Sequence, residues 1–191
     1  MAAERQPAAF IDRDGVVNVE RHHVYRIEDF ELLPGVIDGL RRLAAHGYAL
    51  VVVTNQAGIA KGLYGEPDYE RLTAHMRGLL AAQGVQLAGV YHCPHHPHGT
   101  VPAYTRSCAC RKPAPGMLLQ AAAELALDLP RSVLVGDKPS DTAAGRAAGV
   151  ACTVLVESGH ALPADAARLA DHCCAGLAQA ADWLCRADFP S

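Results

Sequence analysis

The run Tyr48-Ala-Leu-Val-Val-Val-Thr54 is apolar almost without interruption and is too short for an ordinary globular helix. Such a run suits a strand covered on both faces, and that in turn calls for a parallel sheet flanked by helices. Other runs of the same character, none longer, occupy residues 8–11, 90–92, 132–136 and 150–156. Segments of helical period lie between the runs, at 35–46, 67–83, 116–126 and 140–148. Gly47, Gly84 and Gly149 stand just past three of their ends, where a helix commonly stops in a left-handed residue. The expected fold class is α/β, a Rossmann-like parallel sheet of about five strands with helices on both faces. The tail, 161–183, reads as one or two further helices around a short segment at 172–175.

At 191 residues the chain fits a single domain spanning 1–191, large enough to fold without disulfides. Lys and Arg number 17 against 20 Asp and Glu, with no block of like charge. This balance argues against a nucleic-acid partner gripped by a basic face. The longest purely aliphatic run, residues 49–53, falls far short of the ~20 residues that span a bilayer. Glu4 and Arg5 also interrupt any secretory apolar region at the amino terminus. A cytoplasmic protein with no membrane partner is expected. In such a chain the seven cysteines read as reduced thiols or metal ligands.

Ligands of parallel α/β sheets bind beyond the carboxyl ends of the strands, so chemistry is sought where each apolar run stops. The first run stops at Asp12-Arg13-Asp14-Gly15, two carboxylates two residues apart. One such carboxylate can attack phosphorus while the other protonates the leaving oxygen and later activates water. Held this close, the pair calls for a cation, and Mg²⁺ prefers carboxylate and phosphate oxygens. Taken alone, the same four residues also fit a turn or a fragment of a Ca²⁺ loop, although Tyr25 stands where that loop needs a bidentate Glu. The central run stops at Thr54-Asn55-Gln56, which offers a hydroxyl and successive backbone N–H groups to a phosphate. Arg111-Lys112 adds a planar fork and a point charge. The fourth stop, Gly136-Asp137-Lys138-Pro139-Ser140-Asp141, supplies Asp137 to the cation shared with Asp12, while Asp141 reads as a first-turn helix residue favoured by the dipole.

Between the second and third stops lies a different pattern, in a loop of about 92–111. Cys93 with a histidine, and Cys108 with Cys110, provide three thiolates and one imidazole, a closed tetrahedral set suited to structural Zn²⁺. Spacing leaves His92, His95, His96 and His98 in competition for the imidazole position. The other cysteines, 152, 173, 174 and 185, read as small buried residues.

The four stops fall in order, with Asp12, Thr54, Lys112 and Asp137 separated by 42, 58 and 25 residues. In this the chain resembles the haloacid dehalogenase-like phosphatase superfamily, over 8–159. The resemblance implies Asp12 as nucleophile, Asp14 as general acid and base, and Thr54 and Lys112 as the phosphate clamp. It also implies Mg²⁺ held by Asp12, Asp137 and the main-chain carbonyl of Asp14, and Zn²⁺ held by Cys93, His95, Cys108 and Cys110. Zinc so placed would fix the position of Arg111 and Lys112, which follow Cys110 at once.

Zinc-loop members of the superfamily include phosphatases of heptose 1,7-bisphosphate and of histidinol phosphate. Cys93-Pro-His-His-Pro, Cys110-Arg-Lys-Pro-Ala-Pro-Gly-Met117 and Thr54-Asn-Gln-Ala-Gly-Ile-Ala60 resemble the heptose branch. That likeness implies a small sugar bisphosphate as partner, cut at its 7-phosphate for ADP-heptose and lipopolysaccharide core synthesis, by a monomer. The chain departs from the branch at Glu20-Arg-His-His-Val24, where a Gly-Tyr usually precedes the valine; His22 and His23 read equally as part of a loop that covers the substrate and as plain polar loop residues. No insertion is long enough for a large cap domain, so loops should cover the site. A second phosphate needs a second anion contact, for which Arg111 and Lys138 stand nearest, with Asn55 beside the first. The chain has no Gly-Lys-Ser/Thr phosphate loop, which argues against a kinase. A non-catalytic scaffold on a degenerate phosphatase fold is the reading of a different class, and the retention of both Asp12 and Asp14 speaks against it.

Overall fold

The computed structural model describes residues 5–186, so Glu4 lies outside the described residues. Six parallel strands form one sheet in the order β3-β2-β1-β4-β5-β6. They are β1 (Ala8–Ile11), β2 (Ala49–Asn55), β3 (Gly89–Cys93), β4 (Val133–Gly136), β5 (Cys152–Val156) and β6 (His172–Cys174). The helices are α1 (Val36–Ala45), α2 (Ala57–Ala60), α3 (Glu66–Ala82), α4 (Gly116–Glu124), α5 (Pro139–Ala148), α6 (Ala166–Leu169) and α7 (Leu177–Leu184).

Alternation along the strands divides the core into two layers. Ala9 and Ile11 of β1 face one side with Leu50, Val52, Val133 and Val135, beneath Leu40 and Leu43 of α1, Leu72 and Met76 of α3, and Leu184 of α7. Ala8 and Phe10 face the other side with Val51, Val53 and Leu134, beneath Met117 and Leu118 of α4 and Ala144 of α5. The central run is apolar throughout because both of its faces are covered, and Val51, Val52 and Val53 expose no surface.

Chain order reverses beside β1. From β1 the chain builds β2 and β3 on one side, then returns to place β4 on the other. Two neighbouring parallel strands whose connections depart in opposite directions leave a crevice at their carboxyl ends. Asp12 follows β1 at this crevice, its N–H bonded to the Val135 carbonyl at 3.0 Å, and Asp137 follows β4. Among the described residues no cap domain covers the crevice. The connection from β1 to α1 holds only the 3₁₀ turn Ile27–Asp29, and the one from β3 to α4 only the turn Pro102–Tyr104.

The expected elements are present, with ends moved by one or two residues, and Gly47, Gly84 and Gly149 take the left-handed conformation at φ 94°, 73° and 82°. The sheet has six strands where five were expected. β6 is only three residues long, too short to show alternation, and it forms by pairing with β5 at Val154↔His172 through Val156↔Cys174. Its edge position also corrects the reading of the cysteines. Cys152 is buried, whereas Cys173 and Cys174 on the edge strand, and Cys185 at the end of α7, are half-buried. No helix among the described residues is long and apolar enough to cross a membrane.

Candidate active site

Three carboxylates meet in the crevice. Asp12, Asp137 and Asp141 are all buried, and each offers an oxygen within 4.8 Å of the others. Asp141 comes from the first turn of α5, where its Oδ2 accepts the Lys138 backbone N–H at 2.9 Å and caps the helix. Lys112 lies between two of the three, with Nζ 2.8 Å from Asp12 Oδ1 and 2.7 Å from Asp141 Oδ1, and it also donates to the Val53 carbonyl at 2.8 Å. Burial would drive its proton off, but Asp12 and Asp141 outweigh burial and hold the ammonium above its ordinary pKa. Asp12 moves upward as well, chiefly through burial and then through the charges of Asp141 and Asp137, with Lys112 opposing.

One ammonium among three buried carboxylates leaves negative charge uncompensated, a costly arrangement in a region of low polarisability. Asp137 Oδ1, moreover, is buried without a hydrogen-bond partner. Oxygen ligands, excess negative charge and an orphaned carboxylate oxygen together fit a hard divalent cation such as Mg²⁺.

Asp14 is held apart from this cluster. Arg13, 1% exposed, grips it with Nε to Oδ2 at 3.1 Å and Nη2 to Oδ1 at 3.0 Å. Asn18 and Gln56 donate to the same carboxylate at 3.0 and 3.1 Å. Burial pushes the Asp14 carboxyl upward, but the Arg13 charge and these hydrogen bonds outweigh it and leave the group below its ordinary range. Gly15 makes the turn that follows the two acids and brings the chain back against Asp137. At φ 89°, with a Cβ that would fall 2.3 Å from Asp137 Oδ2, only glycine fits there.

Asp12, Asp14, Thr54, Asn55, Arg111, Lys112 and Lys138 all line one cleft of about 490 Å³. Thr54 is buried, and its hydroxyl accepts from Gln56 Nε2 at 2.8 Å. The Asn55 side chain is engaged with the Lys112 backbone, donating to its carbonyl at 3.0 Å and accepting its N–H at 3.1 Å. It thereby fastens the end of β2 to the lysine that serves the cluster. Arg111 donates to the His95 carbonyl at 3.2 Å, and Lys138 lies 3.4 Å from Glu20. His22 and His23 reach the cleft on left-handed backbone, at φ 53° and 65°, and the His23 ring lies 3.5 Å from Lys61 Nζ.

Below this rim, Cys93, His95, Cys108 and Cys110 bring three sulfurs and one imidazole nitrogen within 4.8 Å of one another. Their individual gaps run from 3.1 to 3.8 Å. Zn–S bonds of about 2.3 Å imply tetrahedral edges near 3.7 Å, so the donors stand at or just inside the positions a zinc ion would require. The competing histidines point elsewhere, His92 to Glu66 at 2.8 Å and His96 to the His98 backbone at 3.1 Å.

Sequence reasoning missed four residues that the site uses. Arg13 and Gln56 lie next to residues it singled out, but their type gives no sign of the bonds to Asp14. Asp141 reads in the sequence as a first-turn helix residue favoured by the dipole; in the structure it also caps α5 and closes the carboxylate cluster. The spacing of Asp137 and Asp141 across a single turn could have indicated this. His160, from the loop after β5, bonds Asp137 and carried no sequence signal at all.

Known proteins are similar to this chain in sequence and fold. The family model described as "HAD-hyrolase-like" matches residues 109–180. A D-glycero-beta-D-manno-heptose-1,7-bisphosphate 7-phosphatase of Yersinia pestis is 48% identical over 86% of this chain and 88% of its own length. The protein of the same name from Salmonella typhi is 47% identical over 99% of this chain and 96% of its own. Among solved structures, the D,D-heptose 1,7-bisphosphate phosphatase of B. bronchiseptica, complexed with magnesium and phosphate, superposes with a TM-score of 0.78. It is 29% identical, covering 93% of this chain and 97% of that one. On this likeness across nearly its whole length, the chain belongs to the family of heptose-1,7-bisphosphate 7-phosphatases within the HAD-like hydrolases.

Proposed function

We propose that this chain removes the 7-phosphate of D-glycero-D-manno-heptose 1,7-bisphosphate in a Mg²⁺-dependent reaction, in the cytoplasm, as a step of ADP-heptose and lipopolysaccharide core synthesis. The observation that carries the reading is the Lys112 ammonium held between Asp12 and Asp141 at the mouth of β1, with Asp14 at its side in the same cleft. Asp12, Asp137 and Asp141 would hold the Mg²⁺, joined by the Asp14 main-chain carbonyl that the resemblance implies. Bound there, Mg²⁺ supplies neutralising charge for the carboxylates and the phosphoryl oxygens.

The remaining steps belong to the chain. An Asp12 carboxylate oxygen attacks phosphorus, the bond from phosphorus to the sugar oxygen breaks, and Asp14 gives that oxygen its proton. Water then attacks the aspartyl-phosphate, Asp14 accepts its proton, and the bond between phosphorus and Asp12 breaks to free inorganic phosphate. Lys112 and the Thr54 hydroxyl hold the equatorial oxygens throughout. Asp14 rests ionised beside Arg13, and the negative charge of an arriving phosphate raises its proton affinity toward what the first step needs. Arg111 holds the distal phosphate, with Lys138 as the nearest second cation. Cys93, His95, Cys108 and Cys110 would hold a structural Zn²⁺, which would anchor the loop that ends in Arg111 and Lys112. A monomer is part of this reading; among the described residues the exposed large apolar side chains are Ile27 of a 3₁₀ turn, Leu63 of the loop before α3, Leu79 of α3 and Leu119 of α4.

Replacing Asp12 with Asn should reduce turnover at least about 1000-fold with the fold preserved, and Asp14→Asn should cost about 100- to 10,000-fold, most for poor leaving groups. Steady-state rates on sugar and aryl phosphates check both, and an Asp12→Asn enzyme within tenfold of the parent would refute the covalent route. Arg111→Ala should lower kcat/KM by about 10- to 150-fold on the heptose bisphosphate while leaving a monophosphate or histidinol phosphate nearly unaffected. An equal loss on all substrates would assign Arg111 to the reacting phosphate. For the zinc loop, Cys108→Ser should lower both metal content and Tm, because binding free energy at such a site is also folding free energy of the loop. Less than about half a zinc per parent chain by elemental analysis would count against the site.

A further inference from the structure

Asp137 is tethered differently from the other two carboxylates of its cluster. Lys112 holds Asp12 and Asp141, whereas Asp137 Oδ2 takes its hydrogen bond from His160 Nδ1 at 2.6 Å. His160 belongs to the loop that leaves β5, and that loop is itself fastened down. Ser158 Oγ donates to the Gly15 carbonyl at 2.7 Å. A Cβ placed on Gly159 would fall 2.1 Å from Asp137 Oδ2 and 2.5 Å from the Gly15 Cα, so two glycine backbones close around one carboxylate oxygen. The other oxygen, Oδ1, is buried and has no partner.

The terminal torsion of an aspartate is soft and has no sharp staggered wells. Pinning one oxygen therefore fixes where the other points. We infer that His160 is a positioning residue, whose Nδ1–H anchors Asp137 Oδ2 so that Oδ1 is presented to the divalent cation shared with Asp12 and Asp141. Carboxylates that bind metals are commonly oriented by such outer hydrogen bonds. The loop 157–160 thus ties together the turn after β1 and the carboxylate after β4, the two strand ends that flank the crevice. His160 is 40% exposed and lines the cleft, so contact with the substrate is the competing role that a test must separate.

The inference rests on the phosphatase reading only for its choice of cation, and Mn²⁺ can stand in for Mg²⁺ in a titration without substrate. Free Mn²⁺ is followed by electron paramagnetic resonance with zinc-loaded parent, His160→Ala and His160→Asn proteins. His160→Ala should weaken Mn²⁺ binding about 10- to 100-fold, and His160→Asn, whose amide N–H can reach the same oxygen, should recover most of that loss. The KM for the bisphosphate at saturating Mg²⁺ should stay near that of the parent. Unchanged Mn²⁺ affinity in His160→Ala would overturn the inference, as would an Asn variant that binds as weakly as Ala. A raised KM with parental Mn²⁺ affinity would assign His160 to the substrate instead. Failure of the parent to release phosphate with Mg²⁺ would strike the phosphatase reading alone, since the titration contains no substrate.

Discussion

The buried ammonium of Lys112 is the contact on which the rest of the site depends. It reconciles buried carboxylates after β1 and in α5 that would otherwise repel each other, and its third bond, to the Val53 carbonyl, ties it to the central strand. Removing one partner from such a cluster leaves an uncompensated buried charge, which is far more disruptive than losing an exposed ion pair. Much of the surrounding structure therefore serves to place one side chain. Asn55 locks the Lys112 backbone from β2, and the Cys₃His loop ends two residues before it. A zinc ion held by these four ligands would have no open coordination position and would act through geometry alone.

The two acids of the first loop show how one short segment obtains two chemical characters. Asp12 is pushed toward protonation by burial and then by the neighbouring carboxylates, while Asp14, two residues on, is pushed the other way because the buried Arg13 guanidinium and its hydrogen bonds outweigh burial. The left-handed turn at Gly15 lets the chain fold back against Asp137 beyond the pair. An attacking carboxylate must be ionised, so Asp12 needs added positive charge beyond Lys112. The excess of negative charge that adds to burial in raising its pKa also suits the site to a divalent cation.

Much of this was legible in the sequence because strand ends are conspicuous. An apolar run that stops at a carboxylate, a hydroxyl or a glycine marks both the element and the place where ligands bind, so Asp12, Asp14, Thr54 and Asp137 could be named from spacing and resemblance. Residues that act by orientation were not legible. Arg13 reads as an ordinary charged loop residue until its burial is seen, and His160 stands some twenty positions from the carboxylate it touches. β6 was hidden for a related reason, since three residues of edge strand exist only through their partner. Local pattern reports what a segment does by itself, and these features arise between segments.

Arg111, Lys138 and Lys61 line a cleft of about 490 Å³, large enough for a sugar with a second phosphate. The most direct test is ³¹P NMR of purified protein with Mg²⁺ and D-glycero-D-manno-heptose 1,7-bisphosphate. The account predicts that the 7-phosphate signal gives way to inorganic phosphate while the 1-phosphate signal persists. Loss of the 1-phosphate, or no phosphate release where histidinol phosphate is cleaved readily, would contradict it.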